Sequence, residues 1–176
     1  MPDAYALDLP RWGADFKDEA APKASAAKAK PRFPFRPELN SRIAIYRGDF
    51  TRIDTDAVVC HTSERMDQCG GPHELLRKLG GDSYAAALAA VGHCRMSEVR
   101  TTVAYGVAAR HIIHTVGPRY NAKYTTAAVN ALHKCYLNAL QACVDNEYRS
   151  VVFLPLHSDD KNYPVVNGAG SDSAMP

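Results

Sequence analysis

Net charge, paired cysteines, tryptophan and long apolar runs are all scarce in this sequence of 176 residues. Twenty-one basic against nineteen acidic residues leave a formal charge of +2. That balance excludes bulk electrostatic attraction as a basis for binding nucleic acid or a membrane surface. The five cysteines, Cys60, Cys69, Cys94, Cys135 and Cys143, are odd in number, and no two of them form a Cys-x-x-Cys pair. A reduced intracellular protein fits this better than a disulfide scaffold or a zinc ribbon. No apolar run approaches the ~18 residues of a membrane span, and Met1, Pro2 and Asp3 do not open a basic-then-apolar leader. The expectation is a protein without membrane insertion, cytoplasmic or nuclear. The single tryptophan, Trp12, follows Leu9, Pro10 and Arg11; the sequence leaves open whether it docks on the domain or on a partner.

What is present is enough apolar content, 46%, for one core of ordinary size. Residues 20–37 are dominated by Ala, Lys and Pro, and Pro22, Pro31, Pro34 and Pro37 remove donors and block helix. Residues 1–39 are therefore expected to be a flexible N-terminal segment, 40–164 a domain, and 165–176 a disordered tail. Within the domain, residues 43–46 and 57–59 read as strands. An apolar helical pattern follows Pro72, is broken at Gly80 and Gly81, and resumes after Asp82 to about Val91. Residues 99–105 and 111–116 are β-rich. From 124 to 146, Val129, Leu132, Tyr136, Leu140 and Cys143 recur at spacings of three and four, predicting an amphipathic helix with one buried face. Residues 151–156 read as a strand buried on both faces. This order predicts an α/β fold with a parallel or mixed sheet and a ligand site beyond the carboxyl ends of its strands.

The stretch 56–73 carries the clearest chemistry. A short strand passes through Cys60, His61, Thr62 and Ser63 to Gly70, Gly71 and Pro72 at a helix start, which can aim backbone N–H groups and the helix dipole at a phosphate. Cys60, His61, Cys69, His73, His93 and Cys94 are potential soft metal ligands, but no second close pair with finger-like spacing exists, so no metal is expected. A Cys60–His73 hydrolase lacks an identifiable oxyanion hole and orienting acid. His111 and His114 read as structural histidines on a strand, and Cys135 and Cys143 as core.

Gly48, Asp49, Phe50 and Thr51, then Asp56 to Val59, then Cys94, Arg95 and Met96, then His114, Thr115, Val116, Gly117 and Pro118 occur in an order that resembles the macro domain, an α/β module that binds ADP-ribose and related nucleotides. The resemblance covers about residues 40–164. It implies a mixed central sheet flanked by helices, with Asp49 accepting from the adenine amino group and Phe50 beside it; a carboxylate suits an amine because it only accepts. The alternative is that Asp49 only fixes the turn after Gly48. The family's Asn-x-x-Asn falls on Cys60 and Ser63, facing the distal ribose. Its Gly-Gly-Gly-Val-Asp falls on Cys69, Gly70, Gly71, Pro72 and His73. The first phosphate loop keeps two glycines, with Pro72 suited to a helix N1 position. His73 replaces the acidic residue that hydrolases of the family place near the attacking water, so the hydrolytic centre reads as broken. The second phosphate loop corresponds to Ser158, Lys161, Asn162 and Tyr163, a glycine-free stretch with two aspartates and Lys161 as a compensating charge. The family's final strand and helices have no counterpart after Pro164.

Three functions follow from this reading. The first is a non-hydrolytic module for ADP-ribose or ADP-ribosylated protein, monomeric and without a cofactor. The second is an ADP-ribosyl hydrolase with residual activity through His73. The third is a single-stranded RNA-binding module using the cleft and the lysine-rich linker.

Overall fold

The computed structural model describes residues 36–67, 71–119 and 121–156. These fall into two units, 36–48 and 49–156, each taken by itself. The first holds the one-turn helix α1, Pro37–Asn40, with Pro37 in its first turn and the Ser41 hydroxyl donating to the Glu38 carbonyl at 3.2 Å. Residues 43–46, expected as a strand, form none. Ile43 and Ile45 are about half exposed, so the apolar alternation there buries no face.

The second unit runs through a 3₁₀ turn at Phe50–Arg52, β1 (Ala57–His61), α2 (Pro72–Val91), β2 (Val99–Val103), β3 (His111–Thr115), α3 (Thr125–Asp145) and β4 (Val151–Phe153). The four strands form one sheet in the order β2-β3-β1-β4. β1 pairs in parallel with β3 and with β4, in registers such as Ala57↔His111 and Ala57↔Val151, and β2 is antiparallel to β3. The mixed sheet and flanking helices expected from the sequence are thus present. β4 is shorter than expected, is the last strand in the order among the described residues, and is partly rather than fully buried.

Strand alternation sorts the core into two layers. Val58, Cys60 and Ile112 join Leu76, Tyr84 and Leu88 of α2 on one face. Ala57, Val59 and Ile113 join Cys135, Ala139 and Cys143 of α3 on the other. The Gly80–Gly81 break falls at Gly81, whose φ of 53° and ψ of −142° interrupt α2; a residue with a Cβ disfavours that conformation.

α3 departs from the expected single face. The side chains it buries are Ala128, Cys135, Ala139 and Cys143, small groups that let the helix approach the sheet closely. Val129 and Leu140, expected in the core, are exposed. Leu132, Tyr136 and Cys143 pack toward the sheet as the periodicity predicts, while Val129 and Leu140 lie on the outer flank.

Candidate functional site

The carboxyl ends of the parallel strands β3, β1 and β4 converge where His61, Gly117 and Leu156 meet. The Gly117 N–H donates to His61 Nδ1 at 3.1 Å, so the neutral ring carries its proton on Nε2. A Cβ on Gly117 would press on the Leu156 carbonyl and come within 3.2 Å of His61 Nδ1. Gly117→Ala is accordingly expected to cost about 2 kcal/mol by overpacking, read as a lower urea midpoint at unchanged slope. His61, weighed in the sequence as a possible soft metal ligand, was not among the expected ligand-binding residues, because the family pattern treats its position as a spacer.

Beyond β1 the chain turns tightly. The Ser63 hydroxyl donates to Asp67 Oδ1 at 3.0 Å and accepts from the Asp67 N–H at 3.3 Å. Met66 is buried in the left-handed region at φ 58°, and Arg77 of α2 reaches back to the Asp67 carbonyl at 2.8 Å. The expected sugar-facing hydroxyl of Ser63 thus takes part in building this turn. Cys60 is 2% exposed within the α2-side core, its thiol donating to the His61 carbonyl at 3.4 Å. Strand alternation puts it there: Cys60 shares its face with Val58.

Gly71, at φ 61° and ψ −128°, is the N-cap of α2, with Pro72 in the first turn as expected. That backbone is essentially restricted to glycine. Gly70 and Cys69 lie outside the described residues, as do Ser158, Lys161, Asn162 and Tyr163.

His73 enters the interior rather than an open cleft. It is 1% exposed, with Nε2 at 3.5 Å from the Thr62 hydroxyl. Its ring lies 5.9 Å from Tyr84 and 6.2 Å from His114, centroid to centroid. His114, fully buried, pairs through Nε2 with the Thr102 hydroxyl at 2.9 Å. Neither Nδ1 has a hydrogen-bond partner among the described residues. Burial, reinforced by Arg77 and His61, lowers the His73 pKa to about 4. Burial and then the neighbouring His73 lower that of His114 to about 3. Both rings are therefore neutral near pH 7. No sequence signal marks this pairing, which joins the start of α2 to β3.

Asp49 caps the 3₁₀ turn. Its Oδ1 accepts from the Thr51 N–H at 3.0 Å and the Thr51 hydroxyl at 2.6 Å; Oδ2 takes neither bond. The hydroxyl and then the amide of Thr51 hold the Asp49 pKa below the ordinary carboxylate value. Phe50 packs half-buried against the α2-side core. Among the described residues no three His, Cys, Asp or Glu side chains converge as a metal site, and no helix is long and apolar enough to cross a membrane.

A family model described as "Macro domain" matches residues 61–169. The chain belongs to the macro domain family. Relatives include ganglioside-induced differentiation-associated-protein 2 of Rattus norvegicus, 31% identical over 163 residues, which span 89% of this chain and 33% of that protein. A second is a protein GDAP2 homolog of Dictyostelium discoideum, 34% identical over 137 residues, spanning 78% and 24% of the two chains. The chain thus spans about a third or less of the length of these curated relatives. Among solved structures, the macro domain of ganglioside induced differentiation associated protein 2 matches with a TM-score of 0.79 at 28% identity, over 93% of this chain and 75% of that one. A Trypanosoma brucei macrodomain in complex with ADP-ribose matches with a TM-score of 0.58 at 30% identity, over 65% and 47%.

Within the macro fold, the residues brought together at the strand ends are His61, Gly117 and the turn 62–67. Cys60 and His73 lie beneath them, in the layer covered by α2.

Proposed function

We propose that this macro domain binds ADP-ribose, or the ADP-ribosyl group of a modified protein, without hydrolysing it. The observation that carries the reading is Gly71. Its glycine-only backbone opens α2 beside the strand ends, at the position matching the family's phosphate loop, and the solved macrodomain of Trypanosoma brucei holds ADP-ribose. A helix start with free N–H groups favours a diphosphate. Asp49, kept ionised by Thr51 and with Oδ2 clear of both cap bonds, is the acceptor for the adenine amine.

The absence of hydrolysis follows from position 73. A general base for water needs a proton affinity near the working pH and access to the attacking oxygen. His73 is buried, and its pKa is lowered to about 4.

Calorimetry with ADP-ribose checks the binding. Asp49→Asn keeps an oxygen for the Thr51 cap but loses the charge, so affinity is expected to fall about 10-fold, the worth of one charge-assisted bond, while the fold is retained. No heat at millimolar ADP-ribose overturns the proposal. Release of ADP-ribose from modified protein, abolished by His73→Ala, would instead establish a hydrolase.

A further inference from the structure

The first segment of α2, residues 72–80, is fastened unevenly. Its far end is packed in, since a Cβ on Gly80 would meet Tyr84 and Tyr105. Gly81 follows, at φ 53°, and breaks the helical ladder at a point where no described residue crowds its Cβ position. The segment is thereby joined to the rest of α2 by a swivel.

The near end, Gly71 to His73, has no side-chain cap. Among the described residues three side chains hold it. Leu76 is buried in the α2-side core, and Arg77 donates to the Asp67 carbonyl at the surface. His73 enters the interior beside Thr62, Tyr84 and His114. The turn 62–67 opposite is part of the sheet framework. The Thr62 N–H donates to the Thr115 carbonyl at 2.9 Å, and the Glu64 carbonyl accepts the Cys94 N–H at 3.0 Å. Any displacement of one against the other therefore falls on the start of α2.

Taking Gly71 as the diphosphate-facing residue argued above, we propose that His73 is the positioning residue that latches this end of α2 onto the sheet, and that a proton on its ring releases the latch. Inside the pocket that proton is opposed from each element packed on the ring. Arg77 of α2 and His61 of β1 repel it, and Asp67 in the turn attracts it only weakly. Tyr84 of α2 and His114 of β3 enclose the ring, which is 1% exposed. The first turn of a helix also disfavours positive charge. Once released into water the same imidazole titrates at about 6.5. Acid thus favours a state in which the first turn of α2 has lifted, while His114 stays in β3, paired on both sides. The latch is at full strength above about pH 6.5 and weakens as pH falls toward the latched value of about 4.

Amide hydrogen exchange on the full chain, with the intrinsic pH dependence of exchange divided out, tests the latch. The reporters are the N–H of Leu75, bonded to the Gly71 carbonyl at 3.2 Å, and that of Leu76. Ile112 and Ile113 in β3 report global unfolding. Leu75 and Leu76 are expected to be less protected than the strand amides, and to open about 20-fold more often at pH 5 than at pH 7. His73→Phe fills the pocket without a titrating group and should reduce that change to less than about 2-fold. Arg77→Met, at an exposed position, should raise opening at both pH values and keep the pH dependence.

Exchange at Leu75 and Leu76 that tracks Ile112 and Ile113 overturns the proposal, because no separate opening then exists. A pH dependence that survives in His73→Phe, or that is lost in Arg77→Met, overturns it as well, since the latch then lies elsewhere. Millimolar ADP-ribose is expected to slow exchange at Leu75 and Leu76. If it has no effect while the proton dependence stands, the ligand reading of Gly71 fails and the latch remains.

Discussion

Lowering the pH from 7 to 5 is expected to remove about 4 kcal/mol of folding stability, about 2 kcal/mol for each of His73 and His114. Both folded-state pKa values are depressed, to about 4 and about 3, from an unfolded value of about 6.5. The unfolded chain therefore binds protons below pH 6.5 that the native chain refuses. The stabilising effect is complete above that pH and is lost as pH falls through 5 toward the folded values.

The cause is geometric. The two imidazoles stand 6.2 Å apart with Tyr84 packed against both, and Thr62 and Thr102 are their hydrogen-bonding neighbours. Beyond burial, Arg77 and then His61 disfavour a proton on His73, and Asp67 favours one more weakly. Urea titrations at several pH values should give a slope approaching two protons near pH 5. His73→Phe keeps the ring volume and should bring that slope to about one. A stability constant from pH 7 to 5 would show that the buried rings accept protons in the native state.

Replacement of Asp56 by Ala is expected to cost about 3 kcal/mol at pH 7, about 1 kcal/mol for each of the three donors bonded to Oδ2, the exposed Arg110 pair adding little. Asp56 immediately precedes β1. Its Oδ2 accepts from the Arg149 N–H at 2.8 Å, the Ser150 N–H at 3.0 Å and the Ser150 hydroxyl at 3.1 Å, which tie down the start of β4. Oδ1 pairs with the Arg110 guanidinium next to β3, and the Asp56 carbonyl accepts the His111 N–H at 3.0 Å. One residue thus fastens the amino ends of three neighbouring parallel strands, at the opposite end of the sheet from the proposed ligand site.

These bonds, the Arg149 amide foremost, lower the Asp56 pKa. The stabilisation is present above the unfolded value of about 3.9 and fades as pH falls through the folded one. Asp56→Ala should therefore be most costly at neutral pH and least costly near pH 3. Asp56→Asn, which keeps an acceptor oxygen, should cost less than half as much. An alanine variant within 0.5 kcal/mol of the parent would show the strand starts to be held by other contacts.

The sequence by itself determined the class of fold, the placement of nearly every element and the family. Those features rest on local regularities: the alternation through Ala57, Val58 and Val59, the three-and-four spacing along α3, the Gly80–Gly81 break, and short motifs in a fixed order. It also placed Pro72 in the first turn of α2, because proline and a preceding glycine have strong backbone preferences of their own.

Only the tertiary structure decided what the site residues face. A one-residue change in strand phase moves a side chain from one layer to the other, so the motif register could name Cys60 but not its burial beside Val58. His73 reads in sequence as a replacement for a carboxylate. Its partners, Thr62, Tyr84 and His114, come from separate elements, and the burial that suppresses its charge exists only once they pack. The two apolar faces of α3 share one helical period, and the sheet selects the line of small residues Ala128, Cys135 and Ala139 because these admit the closest approach. The larger residues Val129, Leu137, Leu140 and Val144 are thereby left on the outer flank of the helix.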